Sequence, residues 1–286
     1  MCSAERNGAS PGGRPATTPR SPLRAECEPV SVIGRVALLL DCLAAGDSPG
    51  ISELARRSGL AKTTVHRLVH ELGSCGLVEV TGDGVRLGIR LFELGSSVPR
   101  QRSLAEGALP FMRDLQQATG NTVHLAVLDG AEVVYLQILR GSGTRQLPSR
   151  VGGRMPAHAT GVGKAILAFA PPQVVSALIA AGLERRTART LVAAGALRRE
   201  LARIRDRGVS FDREESGPGI VCAASPVFGA DGAVLAALSL TGWSSRLDLD
   251  RVAPAVRTAA LALSRQLGGG RGQARWPGRA APSSEA

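Results

Sequence analysis

The stretch of residues 51–68, Ile-Ser-Glu-Leu-Ala-Arg-Arg-Ser-Gly-Leu-Ala-Lys-Thr-Thr-Val-His-Arg-Leu, constrains the fold more than any other part of the chain. Ala55 is small enough to let two helices approach closely, and Gly59 supplies a residue that accepts a left-handed turn between them. Leu54, Leu60, Val65 and Leu68 fall where a wedge of core would lie between the two helices. Ser52 is placed to cap the first helix, with Glu53 in its first turn, where the helix dipole favours a carboxylate. The second helix, expected over residues 61–72, buries Val65, Leu68 and Leu72 at i, i+3 and i+7. Its opposite face presents Lys62, Thr63, Thr64, His66, Arg67 and His70, a set rich in groups that bond phosphates and base edges.

The flanks extend this pattern. Val32, Val36, Leu39, Leu40 and Leu43 recur at helical spacing and predict an amphipathic helix closing near Gly46, followed by a turn at Asp47-Ser48-Pro49-Gly50. After the helix pair, residues 77–80 and 85–87 read as two short strands around Gly82-Asp83-Gly84. Helix, helix, helix and hairpin make a winged helix-turn-helix, with the hairpin as the wing and Arg86 a candidate contact to the DNA backbone or minor groove. Residues 51–67 hold Arg56, Arg57, Lys62 and Arg67 against Glu53, a local excess of three positive charges. With Ser52, Lys62, Thr63, Thr64, His66, Arg67 and Arg86 as candidate contacts, the expected partner is double-stranded DNA.

Global charge says less. The net charge of +11 is spread along the chain, and only Lys62 and Lys164 among the 35 basic residues are lysine, so the arginine excess also fits a GC-rich genome. Aromatic residues are 3% of the sequence, too few for the stacking platforms that bind single-stranded nucleic acid. The five cysteines are scattered without a C-x-x-C pair, which indicates neither a disulfide framework nor a zinc cage. The longest apolar run, residues 174–183, is far short of the ~20 residues of a spanning helix. Residues 1–28 lack the apolar stretch of a secretory signal, so the expected compartment is the cytosol.

A length of 286 residues suggests two modest domains. Residues 1–28 and 268–286 have the Pro, Gly, Ser and Arg composition of flexible tails, and Arg271, Arg275 and Arg279 could add nonspecific DNA affinity. The reading places a DNA-binding domain at 29–90, a linker helix at 91–102 and a second domain at 103–267. In the second domain, segments 122–128 and 131–138 flank Asp129-Gly130, a turn dipeptide favoured in tight hairpins. Helices are expected at 162–169, 173–183 and 197–207, strands at 208–212, 220–227 and 233–241, and a long helix at 248–267. Mixed elements with hairpins predict an antiparallel sheet covered by helices, so the class is α+β.

The segment 31–97, including GLAKTTVHRLVHELGSCGLVEV and VRLGIRLFELG, resembles the winged helix-turn-helix of IclR-type (isocitrate lyase regulator) transcription factors. The strings MPAHATGVGKAILA (155–168), FDREES with GIVCAASPVF (211–228) and LAALSLTG (235–242) look like that family's effector domain, a GAF-like fold. Ala61 departs from the proline the family often has at the start of its reading helix, a change that costs rigidity and no chemistry. The resemblance implies a small-molecule pocket between the sheet and the loop 158–164. Gly161 and Val162 would offer backbone N–H groups at a helix start. Asp212, Cys222, Ser239 and Thr241 match positions that line the pocket, and Leu147, Met155 and Ile220 would form its apolar wall. It further implies a repressor more readily than an activator and a small effector such as an organic acid, with no cofactor. A single reading helix covers only a few base pairs, so a homodimer or dimer of dimers on a near-palindromic operator is expected, with no metal.

Other readings stand beside this one. Cys222 also fits a buried structural thiol, and Asp212, beside Arg213, Glu214 and Glu215, fits surface charge. Cys222, His158 and Asp212 are types that could serve as nucleophile, base and orienting group of a thiol enzyme carrying a DNA anchor, although no nucleophile signature surrounds them. Gly161-Val-Gly-Lys164 echoes a phosphate loop but lacks Gly at 158 and Ser or Thr at 165. His66 and His70 share a helical face, yet Arg67 stands where a metalloprotease has Glu. A ligand-independent DNA-binding protein is the third class.

Overall fold

The structure, a computed structural model, describes residues 31–44, 46–142 and 147–268. The expected tails, including Arg271, Arg275 and Arg279, lie outside the described residues apart from Gly268.

Helix α1 (Val32–Leu43) opens where the Gly34 N–H donates to Ser31 Oγ at 2.9 Å, and it stops before Gly46. Helix α2 (Ile51–Ser58) is capped by Gly50 and not by Ser52, which sits exposed in the first turn. The helix begins earlier than expected because the Leu54 N–H already donates to Gly50 O at 2.9 Å. Gly59 takes φ 69° and donates to Ala55 O at 2.9 Å, which is the expected left-handed turn. Helix α3 (Lys62–Ser74) follows, then β1 (Val78–Thr81) and β2 (Gly84–Leu87), an antiparallel wing with Thr81 opposite Gly84. Leu39, Leu43, Leu54, Val65, Leu68, Leu72, Val78 and Val85 close a shared core. Gly84 is required there: φ is 134°, and a Cβ would stand 2.1 Å from Ser48 O. The Val85 N–H donates to Pro49 O at 3.0 Å, so the turn before α2 holds the wing in place.

The linker is not a single helix over 91–102. Helix α4 (Ile89–Ser96) and helix α5 (Pro99–Thr119) are separate, broken at Ser97 and Val98, whose N–H groups turn back to Leu94 O and Gly95 O. Helix α4 buries none of its residues. Ile89, Phe92 and Leu94 are 64%, 71% and 56% exposed.

The second domain is built on β3 (Thr122–Asp129), β4 (Glu132–Leu139), β5 (Arg154–Pro156), β6 (Ser210–Arg213), β7 (Ile220–Phe228) and β8 (Val234–Trp243). They form one antiparallel sheet in the order β5-β4-β3-β8-β7-β6. The β3–β4 turn is Gly130-Ala131, one residue later than expected, because Asp129 still pairs with Glu132 and the positive φ falls on Gly130 alone. Strand β5, which periodicity did not indicate, is only three residues long. Helices α6 (Gly161–Leu167), α7 (Pro172–Ala180), α8 (Ala194–Arg207) and α9 (Leu249–Leu267) complete an α+β domain.

Strand alternation sorts side chains into two cores. Val123, Leu125, Val221, Ala223, Leu238 and Leu240 face α5 and α9. Ala126, Cys222, Ala224 and Ala237 face α6, α7 and α8, packed with Val162, Ile166, Leu197 and Leu201. Each fully buried leucine contributes about 1.5–3 kcal/mol through removal from water. In β4 a bulge at Leu136 leaves Tyr135 opposite Ala126, which turns its ring to the α6 side.

Candidate functional site

Two regions carry chemistry. On the first domain, Lys62, Thr63, His66, Arg67 and His70 are exposed on α3 and Thr64 is half-buried, while Val65, Leu68, Val69 and Leu72 point inward. The local charge is partly spoken for. Arg56 and Arg57 bracket Glu53, whose carboxyl they hold down at about 2, and Arg57 also pairs with Asp47 at 2.6 Å. Arg86 is paired with Glu79 across the wing at 2.7 Å, and Arg67 lies 3.7 Å from Glu71. Lys62 is exposed and has no ion-pair partner among the described residues.

In the second domain, the strand register gathers four expected pocket residues. Asp212 of β6 is opposite Cys222 of β7, which is opposite Thr241 of β8, and Ser239 lies two residues along the same face. All four are buried. Gly161 and Val162 begin α6 directly above, with Thr160 as cap through its Oγ to the Gly163 N–H at 3.1 Å. Leu147 is buried, and its carbonyl accepts from Arg140 at 2.9 Å. Met155 packs on the same core from β5, and Ile220 starts β7 on the Cys222 face, half-buried.

Burial sets the electrostatics. The Asp212 carboxyl is raised to about 6, chiefly by loss of water, although its Oδ1 accepts the N–H groups of Glu215 at 2.7 Å and Ser216 at 3.3 Å. Burial and then the Asp212 charge push the Cys222 thiol up to about 12. That is opposite to what a nucleophilic cysteine needs. His158 Nε2 is bonded to the Glu184 carbonyl at 2.9 Å and not to the thiol. The thiol-enzyme grouping of Cys222, His158 and Asp212 is therefore not assembled, and the expectation that Asp212 could be surface charge is also overturned by its burial.

Sequence reasoning missed the groups packed beside Thr241. His124 is buried with Nδ1 3.2 Å from Thr241 Oγ1 and Nε2 2.8 Å from Ser149 Oγ, and burial holds it neutral by lowering its pKa to about 3. The Tyr135 ring lies 5.0 Å from it, with the phenol driven upward by burial. A lone histidine between Val123 and Leu125 in an apolar strand was the available signal. Lys164, read only as a phosphate-loop echo, is fully buried and paired with Glu215. A separate open groove of about 550 Å3, with Leu167, Phe169 and Val175 among its lining, shares none of the expected pocket residues. Arg205 and Arg198 at that groove already bond the Ala168 carbonyl at 2.9 Å and Ser176 Oγ at 3.5 Å.

A winged helix-turn-helix joined to a helix-covered antiparallel sheet that keeps a buried polar cluster defines a DNA-binding regulator with a second, separate domain. Residues 32–82 match the IclR helix-turn-helix domain, and residues 97–265 match the bacterial transcriptional regulator IclR C-terminal domain. The chain is 35% identical to the transcriptional repressor IclR of Escherichia coli over 229 residues, covering 78% of this chain and 84% of that protein. It is also 35% identical to the E. coli regulator XynR over 225 residues, covering 76% and 89%. Among solved structures, an IclR homolog of Microbacterium hydrocarbonoxydans in complex with 4-hydroxybenzoate superposes with a TM-score of 0.76 at 31% identity, covering 84% of this chain and 100% of that one. The Thermotoga maritima IclR gives 0.68 at 28% identity, covering 82% and 98%. The chain belongs to the IclR family of transcriptional regulators and is a regulator, not an enzyme. No helix among the described residues is long and apolar enough to cross a membrane.

Proposed function

We propose that this protein is a ligand-responsive repressor that reads a near-palindromic operator in the cytosol through paired winged helices. Ser52, Lys62, Thr63, Thr64, His66, Arg67 and Arg86 are the proposed DNA contacts. Gly161, Val162, Leu147, Met155, Asp212, Ile220, Cys222, Ser239 and Thr241 are the proposed ligand surroundings. The observation that carries this reading is the gathering of Asp212, Cys222, Ser239 and Thr241, all four buried, under the start of α6. The relative from M. hydrocarbonoxydans, solved with 4-hydroxybenzoate, makes a small organic acid the first class to try.

Pairing of two copies runs through α4 in this reading. A helix whose Ile89, Phe92 and Leu94 face water is covered by the same helix of a second chain, which sets two α3 helices one DNA turn apart. The 103–267 domain then alters that spacing when its ligand is bound.

The test is a gel shift of the full-length protein on its own upstream DNA across salt concentrations, with a panel of small organic acids that includes 4-hydroxybenzoate. Specific retardation altered by one acid supports the reading. Salt-sensitive binding without preference over random DNA, unaltered by any acid, contradicts it.

A further inference from the structure

Lys164 is fully buried in α6, with its Nζ on Glu215 Oε1. Glu215 is 7% exposed, and its second oxygen, Oε2, is buried without a hydrogen-bond partner among the described residues. The residue before it, Glu214, has φ 66°, the one left-handed non-glycine residue among those described. The surroundings hold that conformation in place. Thr187 Oγ1 donates to Glu214 O at 2.7 Å, Thr190 Oγ1 donates to Glu215 O at 2.8 Å, and Asp212 Oδ1 accepts the Glu215 N–H. A buried ion pair is weak evidence for stability, and one with an unsatisfied oxygen is weaker still. Left-handed strain at a non-glycine residue persists only where the rest of the fold imposes it, and such residues cluster at switching sites.

The pair also sits where a ligand would need it. Lys164 is one helical turn beyond Gly161, which lies on Cys222, and Asp212 is the cross-strand partner of Cys222. Arg140 is committed to the carbonyls of Leu147 and Ser149, and His158 to that of Glu184. We propose that Lys164 is the counter-ion for the carboxylate of a small organic acid, and that Glu215 is an internal stand-in which the ligand displaces. This rests on the pocket reading given above. Exchange of one carboxylate for another leaves the charge beside the ammonium unchanged, whereas an amine ligand would meet Lys164 directly. Ser239 Oγ then bonds the incoming acid. Glu215 departs toward water on the 214–219 turn, where Pro218 is exposed. Its departure relieves the backbone at Glu214 and frees Thr187 and Thr190, so the segment leading to α8 shifts with it.

The experiment is calorimetric titration of the full-length protein with sodium acetate and sodium benzoate, and with acetamide and benzamide as neutral isosteres, in the wild type, Glu215→Gln, Ser239→Ala and Lys164→Met. The exchange predicts that the acids bind and the amides bind more weakly. Glu215→Gln, which keeps the volume but releases Lys164, tightens the acids by roughly tenfold or more with no gain for the amides. Lys164→Met erases the preference for acid. If Glu215→Gln does not fold, Glu215→Asp, whose shorter side chain loosens the hold on Lys164, is read the same way. Acid binding that Ser239→Ala weakens but Glu215 variants leave unchanged overturns the exchange while the pocket reading stands. If neither acids nor amides bind any variant at millimolar concentration, the pocket reading and the exchange both fall.

Discussion

Gly161 lies so close above the Cys222 thiol that a Cβ on it would stand 2.9 Å from Sγ. The start of α6 is thereby seated on the middle of the sheet, and the fit depends on the absence of a side chain at one position and the size of another. Gly161→Ala is expected to cost about 1–3 kcal/mol through overpacking. Cys222→Ala removes the obstructing sulfur, so the double variant should be less destabilised than the sum of the two singles. Urea denaturation of the four proteins measures this, and strict additivity would show that α6 is not seated on the thiol.

Asp212 predicts a pH dependence with a definite sign. Its folded-state pKa, about 6, is above the ordinary 3.8 of an unfolded aspartate, so the folded protein binds this proton more tightly. The contribution is favourable below the unfolded value and is lost as pH rises through about 6. Acidification from pH 7 toward pH 4 should therefore stabilise the wild type relative to Asp212→Asn by on the order of 2–3 kcal/mol. Asparagine keeps an oxygen for the Glu215 and Ser216 N–H groups, which isolates the charge. Parallel denaturation curves for the two proteins across this range would remove Asp212 from the buried cluster.

Charge pairing on the reading domain separates two kinds of contact. Lys62, without an ionic partner among the described residues, should act on phosphate: Lys62→Ala weakens operator and random DNA alike and lowers the salt slope by about one. Arg67→Ala, on the same face, should cost the operator ~1–3 kcal/mol more than it costs random DNA if Arg67 reads a base. Fluorescence anisotropy on both DNAs over a salt series distinguishes them, and an unchanged operator affinity removes Arg67 from the reader.

The exposed face of α4 predicts assembly. Phe92→Asp should shift the protein to monomer and weaken operator binding by about 2 kcal/mol or more, the scale of an interface hot spot. Sedimentation velocity checks the first effect and a gel shift the second, and an oligomer that survives Phe92→Asp would place the interface elsewhere.

Local patterns made the reader legible. The spacing of Leu54, Val65 and Leu68 with Gly59 between them needs only neighbouring residues, and the structure gives Gly59 the left-handed φ of 69° expected of it. The cap at Ser52 failed because backbone hydrogen bonding begins at Gly50, a competition that composition does not reveal. The linker differs from the single helix expected over 91–102 because Pro99, which opens α5, disfavours helical backbone at Val98 and so ends α4 before it. At the buried cluster, Asp212, Cys222, Ser239 and Thr241 came from a resemblance, and their joint burial is a matter of strand register between segments far apart in the chain. His124, Tyr135 and the Lys164–Glu215 pair depend on that register, on the bulge at Leu136 and on a contact spanning 51 residues, none of which periodicity can supply.

The most direct measurement of the central claim is operator affinity, by anisotropy, of the wild type, Asp212→Ala and Cys222→Ser, each with and without the organic acid that shifts the wild type most. The account predicts near-identical affinities without the acid and a blunted response in both variants. Variants that respond to the acid as the wild type does would contradict it.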